Sequence, residues 1–319
     1  MSRRRGTSSA GWSLWTEEPV LWVERRPHLS LRRILILGGT GRLGRHVLKA
    51  SGDAMHTAVQ APTRAELDLG SVSQSELDER VGSGLFDVVL NCAAAANVDA
   101  CEEDPRTAVR LNTTVPGMLA TAAQRAEIPF VHISTDYVFG GEGAEQGLFT
   151  ESTPTGPAQR YGQTKADGEQ AVFQCGGRRT VARVSWLFGP GAKPFEDYVL
   201  GKARAEGVVP VLDQSSRPTW LPGLARWLVT LCTVMVDGAF VPAVLHPAGG
   251  PTASRATWAR AILDAHGLTD VATTNQAIGG ALKAARPRDS RLSSERTDEW
   301  TRATWSAGLP DWREKIRSD

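Results

Sequence analysis

The run Ile34-Leu35-Ile36-Leu37 has the length and unbroken apolar character of a strand buried on both faces, and the pattern from Arg42 onward has helical spacing. A glycine cluster separates the two, so this segment predicts strand, tight turn and helix. The alternation recurs, with strands expected near Thr57–Gln60, Phe86–Leu90, Phe130–Ile133 and Thr180–Val184 and a helix across Ala108–Arg125. Strands alternating with helices predict an α/β fold of Rossmann type: a doubly wound parallel sheet with both faces covered.

Beyond Phe188 the texture changes. Gly189, Pro190, Gly191, Pro194, Pro218, Pro222, Pro242, Pro247 and Pro251 divide the chain into short elements around an amphipathic helix near Gly223–Val236. The expected organisation is a dinucleotide-binding domain over 31–188 and a smaller α/β substrate lobe over 189–319, some of whose segments return to the first domain. Residues 1–30 are expected to be a poorly ordered extension. Arg3, Arg4 and Arg5 resemble the start of a secretory leader, but Glu17, Glu18 and Glu24 stand where its apolar stretch belongs.

Composition narrows the function. Lys and Arg total 36 against 35 for Asp and Glu, so no chain-wide field draws the protein to nucleic acid or to a membrane surface. No apolar run approaches the roughly 18 to 20 residues of a membrane span. Cys92, Cys101, Cys175 and Cys232 form no C-x-x-C pair, which suits reduced thiols in a cytoplasm. The six histidines show no helical i, i+4 pair of the kind that binds zinc, so no metal is expected. His132, inside an apolar strand, is expected to be a hydrogen-bonded core residue, and Glu102-Glu103-Asp104 a solvated helix start near Pro105.

Gly38, Gly41 and Gly44 follow the first strand as G-x-x-G-x-x-G, where missing side chains let the backbone approach a pyrophosphate at a helix N-terminus. Thr40, Arg42 and Leu43 belong to the same turn. An NAD-binding fold of this type carries an acidic residue about 20 positions beyond the first glycine, at the ribose 2′-hydroxyl. Here the region reads Ala58-Val59-Gln60-Ala61-Pro62-Thr63-Arg64, and Arg64 suits the 2′-phosphate of NADPH instead, with NADH the open alternative.

Tyr161 and Lys165 lie four apart, so on a helix they share one face and can serve one ligand. An ammonium favours the phenolate, easing proton transfer from the phenol to a ketone oxygen as hydride reaches carbon. Ser134-Thr135-Asp136-Tyr137 follows the strand Val131-His132-Ile133, at the carboxyl edge where such sheets bind ligands. The plainer alternative is that these hydroxyls only form a turn or cap.

Gly38-Gly39-Thr40-Gly41-Arg42-Leu43-Gly44, Asn91-Cys92-Ala93-Ala94, Ser134-Thr135-Asp136-Tyr137-Val138-Phe139 and Tyr161-Gly162-Gln163-Thr164-Lys165 together resemble the dTDP-4-dehydrorhamnose reductases, extended short-chain dehydrogenases. Arg183-Val184-Ser185-Trp186, Asp213-Gln214, Pro218-Thr219 and Arg286-Pro287-Arg288-Asp289-Ser290-Arg291-Leu292 continue the likeness from Arg32 to the C-terminus. The resemblance implies that Tyr161 is the proton donor, that Lys165 holds the nicotinamide ribose and that Thr135 positions the ketone. It places Asp68 and Leu69 beside the adenine, Ala93 and Ala94 along the cofactor, and Asn112 as a support through backbone and water contacts. Ser134, Asp136, Tyr137 and Trp186 would face the sugar, and Arg286 the nucleotide diphosphate. The implied substrate is a dTDP-4-keto-6-deoxyhexose, and a homodimer is compatible with the family. Ala95, Gly140 and Ser216 depart from residues usual in the family, in places that shape the pocket walls rather than the chemistry. Two other activities fit this fold: an epimerase or dehydratase that retains NAD, and a non-catalytic partner similar to the regulatory subunit of methionine adenosyltransferase.

Overall fold

The computed structural model describes residues 31–141, 147–191, 194–247, 250–276, 282–296, 309 and 311–316. The extension expected over 1–30 lies outside the described residues. From Arg32 the order is β1 (Arg32–Leu37), α1 (Arg42–Gly52), β2 (Thr57–Gln60), α2 (Gln74–Val81) and β3 (Val88–Asn91). Three short helical pieces follow, α3 (Val98–Glu103), α4 (Pro105–Val109) and α5 (Val115–Arg125), with a π-helical turn over Arg110–Thr114. Then come β4 (Phe130–Thr135), α6 (Arg160–Gln174) and β5 (Arg179–Val184).

Local chemistry marks several of these starts. Ser73 and Glu76 form a reciprocal capping box on α2, and Asn97 caps α3 through the Ala100 amide. Asp104 accepts from the Thr107 amide and Pro105 occupies the first turn of α4, so the acidic run is a cap rather than only a solvated start. Its neighbours are also engaged: Glu102 accepts the Arg160 amide at 2.7 Å.

The chain continues through β6 (Leu187–Phe188), α7 (Pro194–Glu206), β7 (Val208–Leu212), β8 (Ser215–Ser216), β9 (Thr219–Trp220) and α8 (Leu221–Val236). It closes with β10 (Val244–Leu245), β11 (Ala253–Ser254), α9 (Arg255–Ala265), β12 (Ala272–Gln276) and the helix Trp312–Ile316. The main sheet has six strands in the order β10-β5-β4-β3-β1-β2, every pairing parallel. Ile34 and Ile36 of β1 face a core with Val47 of α1 and Leu224 and Leu228 of α8. Leu35 and Leu37 face the opposite core with Leu77, Leu119 and Val172. That alternation is why the four-residue apolar run needs cover on both sides. Both α8 and β10 lie beyond residue 188 and pack into this sheet. A third core gathers Trp186, Phe188, Val209, Trp220, Trp258 and Ile262 around α7, β7 and α9. Among the described residues, no helix is long and apolar enough to cross a membrane.

Candidate active site

The glycine turn sits between β1 and α1. Gly38 has φ +77°, and a Cβ there would stand 2.6 Å from the Ala93 amide nitrogen. A Cβ on Gly44 would stand 2.1 Å from the Gly38 carbonyl oxygen, so the first turn of α1 lies directly on the loop. Gly41 is the N-cap of α1 and offers no side chain to the unpaired first-turn amides. An anion meeting those amides completes the helix end, and the pyrophosphate of a dinucleotide fits this arrangement. A cleft of about 590 Å³ beside the turn is lined by Gly38, Thr40, Gly41, Arg64, Asp68, Leu69, Ala93 and Ala94 among others. Arg42 and Leu43, expected with this group, instead line the neighbouring cleft, and Arg42 donates to the Leu187 carbonyl at 2.8 Å.

Arg64 reaches this first cleft but carries a counter-charge, since its Nε lies 3.3 Å from Oδ1 of Asp68. Asn112 is buried in the π-helical turn, where its amide brackets the backbone of Ala95, accepting at 2.9 Å and donating at 3.0 Å. It also donates to the Thr164 hydroxyl at 3.1 Å, so it ties the loop after β3 to α6 through direct bonds.

The adjoining cleft, of about 390 Å³, brings Ser134, Thr135, Asp136, Tyr137, Tyr161, Lys165 and Trp186 to one wall-to-wall space. Helix α6 can press close enough to present Tyr161 and Lys165 because glycines flank them. A Cβ on Gly162 would meet the Tyr137 carbonyl oxygen at 2.0 Å, and one on Gly168 the Asn112 carbonyl oxygen at 2.0 Å. Lys165 is buried; its Nζ donates to the Ile133 carbonyl at 2.6 Å and stands 3.1 Å from Nε2 of His132. His132 in turn meets the Asn91 amide at 3.2 Å, and Asn91 accepts the Ala93 amide at 3.0 Å. This relay runs from the glycine-side loop to the ammonium.

Electrostatics here follow burial. Desolvation lowers Lys165 to about 8, against the pull of Glu169, and pushes His132 well below its usual value, leaving a neutral ring. Desolvation raises Tyr161 above the ordinary tyrosine range, while the adjacent Thr135 hydroxyl acts in the opposite sense. The Lys165 ammonium is drawn toward β4 by the Ile133 carbonyl. Asp136 is raised to about 6 by burial, although the hydroxyls of Ser290 (2.6 Å), Ser216 (2.8 Å) and Thr135 (3.2 Å) all donate to it. Ser216, a departure from the resembled family, thus joins β8 to the end of β4. Cys92 borders both clefts, and burial raises its thiol to about 12, which keeps it protonated.

Two expected sugar contacts, both lining the second cleft, also have partners within the protein. The Ser134 hydroxyl donates to Glu169, which forms a buried ion pair with Arg183 at 2.7 Å. Trp186, at φ +37°, stacks on Trp258 with centroids 5.3 Å apart. Thr135 combines both of its sequence readings, since it caps the turn by accepting the Tyr137 amide at 3.2 Å while lining the cleft.

A third cleft, of about 610 Å³, shares Arg42, Tyr137, Trp186 and Leu187 with the second and continues into the lobe. Its walls include Phe188, Phe195, Tyr198, Gln214, Arg255, Trp258 and Arg286. Arg286 pairs with Asp99 at 2.8 Å and donates to the Ala284 carbonyl at 2.9 Å. Arg255 was not singled out by motif. Its signal was a guanidinium at the head of the stripe Arg255, Trp258, Ile262, whose other members are buried. Glu169 had a similar signal, extending the Tyr161, Lys165 spacing by another four residues.

The family model described as RmlD substrate binding domain matches residues 32–318. The dTDP-4-dehydrorhamnose reductase of Mycolicibacterium smegmatis is 32% identical over 318 residues, spanning 98% of this chain and 92% of that one. The crystal structure of a dTDP-4-dehydrorhamnose reductase from Clostridium acetobutylicum superposes with a TM-score of 0.75 at 28% identity, covering 89% of this chain and 97% of the other. The fold is also that of the Bacillus anthracis dTDP-4-dehydrorhamnose reductase solved in complex with NADP, with a TM-score of 0.75 at 22% identity and the same coverage, 89% and 97%.

Proposed function

Since this chain belongs to the family of the RmlD substrate binding domain, we propose that it is a nicotinamide-dependent reductase of the C4 ketone of a dTDP-4-keto-6-deoxyhexose. The observation that carries the reading is the continuity of the three clefts, which share Gly41 at one junction and Tyr137 and Trp186 at the next. A dinucleotide on the glycine side and a nucleotide sugar on the lobe side would then meet at Tyr161 and Thr135.

Gly38, Thr40, Gly41 and the α1 amides would hold the pyrophosphate; Asp68 and Leu69 would border the adenosine, and Ala93 and Ala94 the rest of the cofactor. Bound NADPH supplies the hydride that reduces the sugar carbon. Arg64 supports the 2′-phosphate, while Asp68 beside it would accept from the 2′-hydroxyl of NADH, so both cofactors are used with NADPH preferred.

Tyr161 gives its proton to the sugar oxygen, and carbonyl becomes alcohol. A phenol held above its ordinary pKa stays protonated at neutral pH, and an alkoxide is a far stronger base than even a buried phenolate. Thr135 holds the ketone oxygen beside the phenol. Lys165, fixed by Ile133 and His132, would bond the ribose hydroxyls of the nicotinamide half.

Purified protein given NADPH and a panel of dTDP-4-ketosugars should consume reduced nicotinamide and form one alcohol configuration, read by NMR. Tyr161→Phe should lower kcat by about 10²- to 10⁴-fold with NADPH affinity unchanged. Stoichiometric nicotinamide that co-purifies and is not consumed during turnover would instead assign the chain to the NAD-retaining epimerases or dehydratases.

A further inference from the structure

Arg255 opens α9 and its backbone amide donates to the Gln214 carbonyl at 2.9 Å, which fixes the residue at the lobe side of the third cleft. Its guanidinium lies 3.7 Å from the ring centre of Trp186, 4.6 Å from that of Phe195 and 5.4 Å from that of Trp258. Three rings thus orient a planar cation from the apolar side. Among the described residues, no carboxylate lies within ion-pair distance of it. The other cations of the cleft are engaged: Arg286 with Asp99 and Arg42 with the Leu187 carbonyl. Glu196, on the same wall, has His266 at 3.2 Å.

A partly buried cation held by rings, with the Asp136 carboxyl acting on it only from beyond ion-pair distance, is costly unless an anion completes it. Its position names the anion. The Tyr161 and Tyr137 rings meet edge to face at 6.1 Å, and Tyr137 and Arg255 line the same cleft. Tyr137 thus stands in the wall shared by the cleft that holds the reacting phenol and the cleft that holds the cation. In a hexose whose C4 ketone meets Tyr161, the opposite carbon, C1, carries the diphosphate.

We propose that Arg255 seats the diphosphate of the nucleotide substrate and, by doing so, sets which sugar carbon reaches Tyr161. This assignment rests on the reductase reading above. Arginine suits the task because its parallel N–H donors match two phosphate oxygens while its face remains on Trp186. Arg286 can add to the site only by relinquishing Asp99, whereas Arg255 has no such ion pair to break. Burial lowers Arg255 to about 10, which still leaves it charged at neutral pH.

The test titrates the full-length protein calorimetrically with dTDP, dTMP and thymidine, and compares Arg255→Gln and Arg255→Lys. The wild type should bind dTDP well above thymidine. Arg255→Gln should lose about tenfold or more in dTDP affinity with thymidine and NADPH binding unchanged, and Arg255→Lys should recover part of the loss. With substrate, Arg255→Gln should raise KM more than it lowers kcat. If Arg255→Gln binds NADPH and dTDP as the wild type does, the assignment is overturned while the reductase reading stands. A wild type that binds NADPH but neither dTDP nor any dTDP-4-ketosugar overturns both.

Discussion

Asp136 shows what a side chain at the carboxyl end of β4 costs the fold. Its carboxyl is raised from 3.8 to about 6 by burial, despite three donated hydroxyl bonds. A carboxyl raised on folding contributes stability that is fully present below its unfolded pKa and lost as pH rises through the folded value. The window is therefore 3.8 to about 6, and the loss is at most about 3 kcal/mol. Urea unfolding across this window should show Asp136→Asn gaining stability relative to the wild type as pH rises; a difference that does not change with pH would refute the assignment. The importance of Ser134-Thr135-Asp136 was readable in the sequence because the triplet ends an apolar strand. That Ser134 turns to Glu169, or that Ser216 and Ser290 meet Asp136 from 80 and 154 residues away, was not, because spacing carries no information about such distant partners. Lys165 is a related case. Helical spacing placed it with Tyr161, but the Ile133 carbonyl and His132, contributed by another element, decide where its ammonium points.

Among the elements, β1 and α1 were legible because their signals are local: an apolar run, glycines at three-residue intervals, then helical spacing. Gly44→Ala tests how strict that geometry is. Alanine favours a helix interior by about 1 kcal/mol over glycine, yet here its Cβ would collide with the Gly38 carbonyl. The variant should lose stability rather than gain it, and should lose NADPH affinity with it; thermal melts and cofactor titration read both. The helix expected across Ala108–Arg125 came out as α4, a π-helical turn and α5. Periodicity could not show the interruption, since its context is tertiary: Asn112 brackets Ala95 while α6 approaches its carbonyl at Gly168. Strand β4 runs two residues beyond the apolar stretch for a similar reason, because Ser134 and Thr135 pair with Arg183 and Val184 of β5.

For the whole molecule, alternation along the chain revealed the parallel sheet and its two covered faces, and the change in texture after Phe188 marked a different style of packing. Neither feature revealed strand order. That order places β10, two residues contributed from far along the chain, at the outer edge of β5, and lays α8 over Ile34 and Ile36. A polypeptide ending at residue 188 would lack both. It would bare the backbone edge of β5 and one oily sheet face to solvent, an invitation to strand-by-strand association with other copies. Such a truncation should elute as large aggregates in size-exclusion chromatography, whereas 31–319 should elute as a discrete species. Domain-swap engineering in this scaffold must therefore exchange the returning helix and edge strand together with the sheet that they complete.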